Sequence, residues 1–194
     1  MTATQGMLYG GIAALAIGVA AMIAAPAISA PSGSSPAPVA AKPAVAQGPA
    51  LGTVRWSRLD AAMEQAAKSG KPIFVTVYAD WCGYCKLLDK TTFVDAGVVQ
   101  LLNDGWVAAK LNGESQAPLK LPKGSITESQ WAVGNGVQGF PANFLLDSKG
   151  KPFAAVPGYI EPPMMARLLK DGQAWIKGGG QAKLGDFYEW AEKR

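Results

Sequence analysis

Residues Tyr78 to Lys86 have the sequence YADWCGYCK, which contains both cysteines of the 194-residue chain, Cys82 and Cys85. This stretch overlaps the end of IFVTVYA (Ile73 to Ala79), a continuous run of β-branched and aromatic residues. Such a run is typical of a strand that is buried on both faces. Because CGYCK then opens a predicted helix, we expect the two thiols at the junction between a buried strand and the first turn of a helix.

A cysteine at a helix N-terminus faces free backbone N–H groups and the positive end of the helix dipole, which favour the thiolate. We therefore predict that Cys82 is the nucleophile and that Cys85, one turn inside and more shielded, resolves the mixed disulfide. Gly83 and Tyr84 are expected to tune the reduction potential, and Trp81 to shield one flank of the pair. A structural disulfide is the alternative, although so short a loop recovers little entropy when it is closed.

Composition excludes several other kinds of chemistry. The chain has no histidine, which excludes Ser-His and Cys-His nucleophile pairs and His-ligated metal sites. Two cysteines cannot complete a closed zinc site, so no metal is expected. The formal charge of +4 comes from 18 basic and 14 acidic side chains that are interspersed, so no nucleic-acid partner is expected. A redox-active disulfide would carry the electrons itself, without a further cofactor.

The N-terminal quarter differs in composition from the remainder, because the first 41 residues contain no charged side chain. Met7 to Ala30 is apolar and long enough to span a bilayer as a helix. We predict that residues 1–30 form a transmembrane anchor, with a cleaved signal peptide as the alternative. Residues 31–50, rich in Pro and Ala, are predicted to be an extended linker. The folded domain is expected over residues 51–194.

Predicted helices and strands alternate on both sides of the thiol segment, and a hairpin follows them. This order indicates an α/β fold in which helices flank a central mixed sheet. The elements are a helix capped by Ser57, a helix over Asp95 to Asn103, a strand over Trp106 to Asn112, a loop over residues 113–125, a helix capped by Thr127, a hairpin over Ala142 to Leu146 and Lys151 to Val156, and helices over Pro162 to Lys177 and Lys183 to Lys193.

The order of five motifs resembles the thioredoxin superfamily. These motifs are YADWCGYCK, VAAKLN (Val107 to Asn112), GVQGFP (Gly136 to Pro141), the FLLD strand and Gly158. Within that superfamily the chain most resembles the periplasmic reductase domain of DsbD transporters and related membrane-anchored proteins. The resemblance extends from about Ser57 to the C-terminus and implies the thioredoxin fold there.

The same resemblance implies a substrate site beside the cysteines. Pro141 would be a cis-proline packed against the disulfide, since X-Pro is the one bond at which a cis peptide is inexpensive. The backbone of Phe140 would then be exposed to an extended substrate segment, which could add to it as a strand. The alternative is a trans proline that begins an edge strand.

One position departs from the pattern of the family. Thioredoxins usually bury a carboxylate six residues before the first cysteine, where this chain has Thr76. A threonine cannot act as a base at neutral pH, and Lys110, which matches the lysine beside that carboxylate, would lose its usual partner. Asp89 lies one helical turn after Cys85 and is a candidate for proton transfer in its place. A solvated surface aspartate explains Asp89 equally well.

Together these residues predict a thiol–disulfide oxidoreductase that reduces disulfides in extracytoplasmic client proteins. A membrane or thioredoxin-like electron donor would recharge it, and it would act as a monomer tethered to the inner membrane or, after signal cleavage, free in the periplasm. The alternatives are a disulfide isomerase or oxidase and a dedicated reductant for cytochrome c maturation. A redox-inert peptide-binding module is the alternative from another class.

Overall fold

The computed structural model describes residues 52–122, 124–180 and 186–193. The predicted anchor or signal segment (1–30) and the predicted linker (31–50) lie outside these residues. Within the described ranges, no helix combines the length and the apolar character needed to cross a membrane.

Seven strands and six helices are present in the described residues. The strands are β1 Trp56–Ser57, β2 Ile73–Tyr78, β3 Val107–Asn112, β4 Pro118–Leu121, β5 Gly124–Thr127, β6 Ala142–Leu146 and β7 Pro152–Pro157. The helices are α1 Leu59–Ser69, α2 Gly83–Thr91, α3 Ala96–Gly105, α4 Glu128–Gly134, α5 Pro162–Lys177 and α6 Asp186–Glu192.

Five of the strands form one mixed sheet in the order β1-β3-β2-β6-β7. β1 and β2 both run parallel to β3, whereas β6 pairs antiparallel with β2 and β7 pairs antiparallel with β6. The central strand β2 is buried along almost its whole length, as its unbroken apolar sequence predicts. This architecture is the predicted thioredoxin fold, a mixed sheet flanked by helices.

The side chains of β2 alternate between two apolar clusters, one on each face of the sheet. Phe74 belongs to the cluster built with α2, α3, α5 and α6. Val75 and Val77 belong to the cluster built with α1 and α4. The thiol helix α2 therefore covers the face toward which Phe74 and Thr76 point.

Two local predictions were wrong. Ser57 does not cap α1; it lies in the short strand β1, and Arg58 is the N-cap residue without a side-chain cap. The predicted loop 113–125 contains β4 and the start of β5, which pair as a separate two-stranded sheet. β4 is held because Leu119 is fully buried and because an Arg58 Nη2 donates to Pro118 O at 2.7 Å.

Candidate thiol–disulfide site

Cys82 and Cys85 form a disulfide at the start of α2. Cys82 is the N-cap residue, and its Sγ accepts the backbone N–H of Cys85 at 3.0 Å. The sulfur of Cys82 thus lies where the free N–H groups of the first helical turn point, a position that favours a thiolate. The expectation that Cys85 is more shielded is wrong for the disulfide state, since Cys82 is 3% exposed and Cys85 6% exposed. Cys82 is buried because Ala79, Tyr78 and Phe140 pack around the pair.

Two exposed aromatic side chains are neighbours of the cysteines in sequence, Trp81 directly before Cys82 and Tyr84 directly before Cys85. Trp81 is 68% exposed and Tyr84 is 65% exposed. Trp81 is nevertheless held in place, because its Nε1–H donates to Glu114 Oε2 at 2.9 Å. Its ring also meets that of Phe140 edge to face, with centroids 6.0 Å apart. The structure therefore presents a fixed apolar surface beside the sulfurs.

Gly113, just after β3, makes room for the ring of Phe140. A Cβ at residue 113 would lie 2.4 Å from Phe140 Cε1 and 3.0 Å from Val77 Cγ1, so no larger residue fits without movement. The N–H of Gly113 donates to Tyr78 O at 2.8 Å, which fixes this backbone against the end of β2. Phe140 consequently lies between the end of β3 and the cysteine pair.

The Phe140–Pro141 peptide bond is cis, as the resemblance implied. Pro141 is buried, and its carbonyl accepts the N–H of Gly158 at 2.7 Å. Gly158 has φ +85°, a conformation that glycine adopts without strain. The segment before β6 is thus joined to the turn after β7.

Lys110 lacks the usual carboxylate at position 76 but forms an ion pair with Asp89 instead. In the sheet Lys110 is in register with Thr76, which is 2% exposed. The Lys110 ammonium also lies 5.0 Å from the centroid of Trp56 and 5.8 Å from that of Phe93, within the range of cation–π attraction. The structure therefore brings Asp89 and Lys110 together one helical turn beyond Cys85.

Tyr78 closes the end of β2 beside the cysteines. Burial raises the pKa of its hydroxyl above the usual value, and the negative charges of Asp80, Glu128 and Asp89 raise it further. Asp80 is held nearby by an amide N–H of Asn112 at 3.3 Å. The Tyr78 hydroxyl is accordingly neutral at physiological pH.

The sequence profile of the thioredoxin-like domain matches residues 59–173, more than half of the chain. The chain belongs to the thioredoxin-like family. With a closed Cys-x-x-Cys disulfide at the start of α2, it is placed among the thiol–disulfide oxidoreductases of that fold.

Individual relatives agree with this placement. Over 139 residues the chain is 32% identical to the thiol:disulfide interchange protein DsbD of Salmonella typhi. That alignment covers 70% of this chain but 22% of the relative, so the thioredoxin-like chain spans about a fifth of the length of DsbD.

Two solved structures share the fold. A thioredoxin from Thermus thermophilus is 22% identical, with a TM-score of 0.53 over 66% of this chain and 91% of that one. A thioredoxin-fold protein from Helicobacter pylori is 18% identical, with a TM-score of 0.53 over 64% of this chain and 81% of that one.

An open cleft whose lining does not include the cysteines lies elsewhere on this thioredoxin-like domain. Its volume is about 690 Å³. It is lined by the turn after α1 and by residues of α3 and α5, Lys71, Asp104 and Lys170 among them. The thiol chemistry takes place at the disulfide, and we assign this cleft no part in it.

Sequence reasoning missed three residues of this region, Gly113, Glu114 and Asn143. A signal for the first two was present, because the parallel strands β2 and β3 end at the same edge of the sheet. Residues that follow such strands gather at one edge, and Gly113 and Glu114 directly follow β3. Asn143 lies inside a buried strand, where an amide is unusual, and that exception was the available signal.

Proposed function

We propose that this chain reduces disulfides in client proteins outside the cytoplasm through the Cys82–Cys85 couple. The observation that carries the proposal is the position of Cys82 at the N-cap of α2, with the N–H of Cys85 directed at its sulfur at 3.0 Å. This arrangement favours a thiolate nucleophile at Cys82 beside a resolving thiol at Cys85. The disulfide itself is the redox group, so the reaction needs no further cofactor.

In the proposed reaction the Cys82 thiolate attacks one sulfur of the client disulfide, and the other client sulfur leaves as a thiolate. A mixed disulfide then joins Cys82 to the client. The Cys85 thiol loses its proton and attacks Cys82 Sγ, which releases the second client thiolate and closes the Cys82–Cys85 bond. Two electrons pass from the protein to the client, and the released proton neutralises a client thiolate.

The client segment would lie along the surface formed by Trp81, Tyr84 and Phe140. The two exposed rings offer apolar contact, and the backbone at Phe140 precedes β6, where an extended segment adds as a strand. Gly83 and Tyr84, the residues between the cysteines, would set the potential of the couple. Aromatic groups that are already fixed lower the entropic cost of binding.

Asp89 and Lys110 are proposed to assist proton transfer at Cys85. The ion pair supports this role because Asp89 is on α2, one turn after Cys85, while Lys110 fixes it from β3. In this chain the pair would replace the carboxylate that Thr76 lacks. An Asp89→Asn variant would then slow the resolution of mixed disulfides while leaving their formation intact.

The direction of electron flow and the location are proposed from the similarity to DsbD. A protein related to part of a thiol:disulfide interchange protein would receive electrons from a membrane or thioredoxin-like donor and pass them to disulfide-bonded clients. It would act as a monomer, held at the outer face of the inner membrane or free in the periplasm.

The test is a single-turnover exchange with the full chain. The protein is reduced with dithiothreitol, freed of reductant and mixed with insulin, whose disulfides serve as the client. Alkylation of free thiols followed by mass spectrometry then counts reduced cysteines in both proteins. We expect Cys82 and Cys85 to oxidise as insulin thiols appear, and Cys82→Ser to give no such transfer. Insulin thiols that fail to appear with the wild-type chain would refute the proposal and favour a redox-inert binding module.

A further inference from the structure

A row of polar residues crosses the centre of the sheet on the face that α2 covers. Lys110 on β3 is in register with Thr76 on β2, which is in register with Asn143 on β6. Thr76 and Asn143 are 2% and 1% exposed. Buried polar side chains are costly unless they form hydrogen bonds, so this row needs an explanation.

The amide of Asn143 has a fixed orientation. Its Nδ2 donates to Gly158 O at 3.1 Å and lies 3.4 Å from Val156 O. Because carbonyl oxygens only accept, the nitrogen of the amide must face them. The two branches of the planar amide diverge, so Oδ1 is turned away from these carbonyls. Among the described residues this buried oxygen has no hydrogen-bond partner.

Contacts of Cys85 and Asp89 place α2 on the same sheet face as this row. Cys85 packs with Tyr78, which follows Thr76 by two residues on β2, and with Ala79, which comes directly after β2. Asp89, one turn after Cys85, is paired with Lys110, the in-register neighbour of Thr76. The segment from Cys85 to Asp89 therefore lies over the sheet face that carries Thr76 and Asn143.

We propose that Asn143 Oδ1 accepts a hydrogen bond directly from the reduced Cys85 thiol. In the disulfide state Cys85 has no proton to donate, and the amide oxygen is left unsatisfied. Reduction adds two electrons to the couple and, because Cys82 is then a thiolate, one proton, which supplies the missing donor on Cys85. The inference rests on the proposed function, because it concerns the resolving thiol of that reaction.

This arrangement favours the reduced state. The unsatisfied oxygen raises the free energy of the disulfide form, whereas the thiol hydrogen bond lowers that of the dithiol form. Both effects make the couple more oxidising than it would be with an apolar residue at position 143. A hydrogen bond of ordinary net strength changes an equilibrium constant by about fivefold, which is about 20 mV for a two-electron couple.

The test is the equilibrium of the full chain with dithiothreitol, compared between wild type and Asn143→Leu. We expect the variant to be about fivefold harder to reduce, with a potential ~20 mV more negative. The matched control is Thr92→Val at the C-cap of α2, which also loses a buried side-chain hydrogen bond, from Thr92 Oγ1 to Ile160 O at 2.7 Å. The equilibrium constant of this control with dithiothreitol should stay within about twofold of the wild-type value.

A measurement on the unmodified protein covers the case in which Asn143→Leu does not fold. The side-chain ¹³Cγ resonance of Asn143 is followed by NMR while the disulfide is reduced. It should shift on reduction, whereas that of Asn135, whose Nδ2 donates to Trp131 O on the opposite face, should not.

The outcomes distinguish the inference about Asn143 from the proposed function of the chain. If the wild-type chain exchanges thiols but the Asn143→Leu and Thr92→Val variants have equal potentials, only the inference about Asn143 is overturned. An Asn143 resonance that does not change on reduction has the same consequence. A wild-type chain that does not exchange with dithiothreitol at all overturns the proposed function as well.

Discussion

Cys82 differs from Cys85 in its place on α2 rather than in its exposure. Both residues are buried, but Cys82 alone stands at the N-cap and receives a backbone N–H on its sulfur. Such a hydrogen bond and the helix dipole both favour negative charge. The roles of the two thiols should therefore be distinguishable by trapping.

Replacing each cysteine with serine tests these roles. Cys85→Ser should trap mixed disulfides with clients through Cys82, because the attack occurs and resolution does not. Cys82→Ser should trap few, because the remaining thiol is not the nucleophile. The measurement is non-reducing gel electrophoresis of the full chain after incubation with oxidised insulin, with the double serine variant as the blank. Equal trapping by both single variants would contradict the assignment.

A substitution at Gly113 tests whether the Phe140 ring needs the space beside this glycine. Gly113→Ala would place its Cβ 2.4 Å from the Phe140 ring, so the ring and the neighbouring backbone must shift. We expect the free energy of unfolding to fall by ~1–3 kcal/mol and the KM for a client to rise. Gly134→Ala is the control, since a Cβ at that helical position meets nothing within 4 Å. It should be neutral or stabilising, and equal losses in urea unfolding for both variants would contradict this account.

At the scale of single residues, the sequence predicted site residues at the cysteines, Trp81 and Pro141 because each belongs to a recognisable motif. It could not establish that Asp89 meets Lys110. That contact depends on the distance between α2 and β3, which local pattern does not encode. The amide of Asn143 is a similar case, because its significance appears only when its partners are known.

Among the elements, α4 begins at a position that is determined by side-chain hydrogen bonds of Thr127 and Gln130. Thr127 Oγ1 accepts the N–H of Gln130 at 3.1 Å, and Gln130 Oε1 accepts the N–H of Thr127 at 2.8 Å. This reciprocal capping box satisfies two free donors at the helix start. The same residue, Thr127, ends β5, so the cap also fixes the hairpin that precedes the helix.

Removing the cap should weaken both elements. Thr127→Ala is expected to lower the free energy of unfolding by about 1 kcal/mol, because the N–H of Gln130 loses its acceptor. Thr127→Ser keeps a hydroxyl and should retain most of that stability. Urea unfolding of the full chain gives the comparison. Equal losses for the two variants would indicate that the methyl group, rather than the hydroxyl, stabilises this junction.

Long elements were predictable because their patterns are strong. α5 was expected over Pro162 to Lys177 and has those bounds. The β4–β5 hairpin was missed because Pro118 and Lys120 weaken the strand pattern and only Leu119 is buried. β1 was missed because a strand of two residues has no period to detect. Tertiary contacts, rather than propensity, hold these short strands in place.

In the whole molecule, helices cover both faces of the sheet, and α6 is attached to its edge. The hydroxyl of Tyr188 on α6 accepts the N–H of Ala155 at 2.7 Å and donates to Ala155 O on β7. Burial raises the pKa of Tyr188 above its usual value, although the hydrogen bond from Ala155 partly opposes this. Tyr78, beside the cysteines, has a raised pKa for the same principal reason.

These two tyrosines predict a loss of stability in alkali. Below about pH 10 both are protonated in the folded and unfolded states. Above it the unfolded chain ionises first, so the free energy of unfolding falls as pH rises toward the folded-state values. Urea unfolding between pH 8 and pH 11, values chosen to bracket an ordinary tyrosine, measures the slope. Tyr188→Phe should give a shallower slope than wild type, and an unchanged slope would contradict the linkage.

The central claim is that the Cys82–Cys85 couple is a reductant, and its reduction potential tests this most directly. The full chain is equilibrated against dithiothreitol and glutathione at known ratios, and the fraction of disulfide is measured by thiol alkylation. We predict a potential near that of thioredoxin, about −270 mV, which requires an electron donor and allows client disulfides to be reduced. A potential near −120 mV, at the oxidising extreme, would contradict the claim and assign the chain to disulfide oxidation or isomerisation.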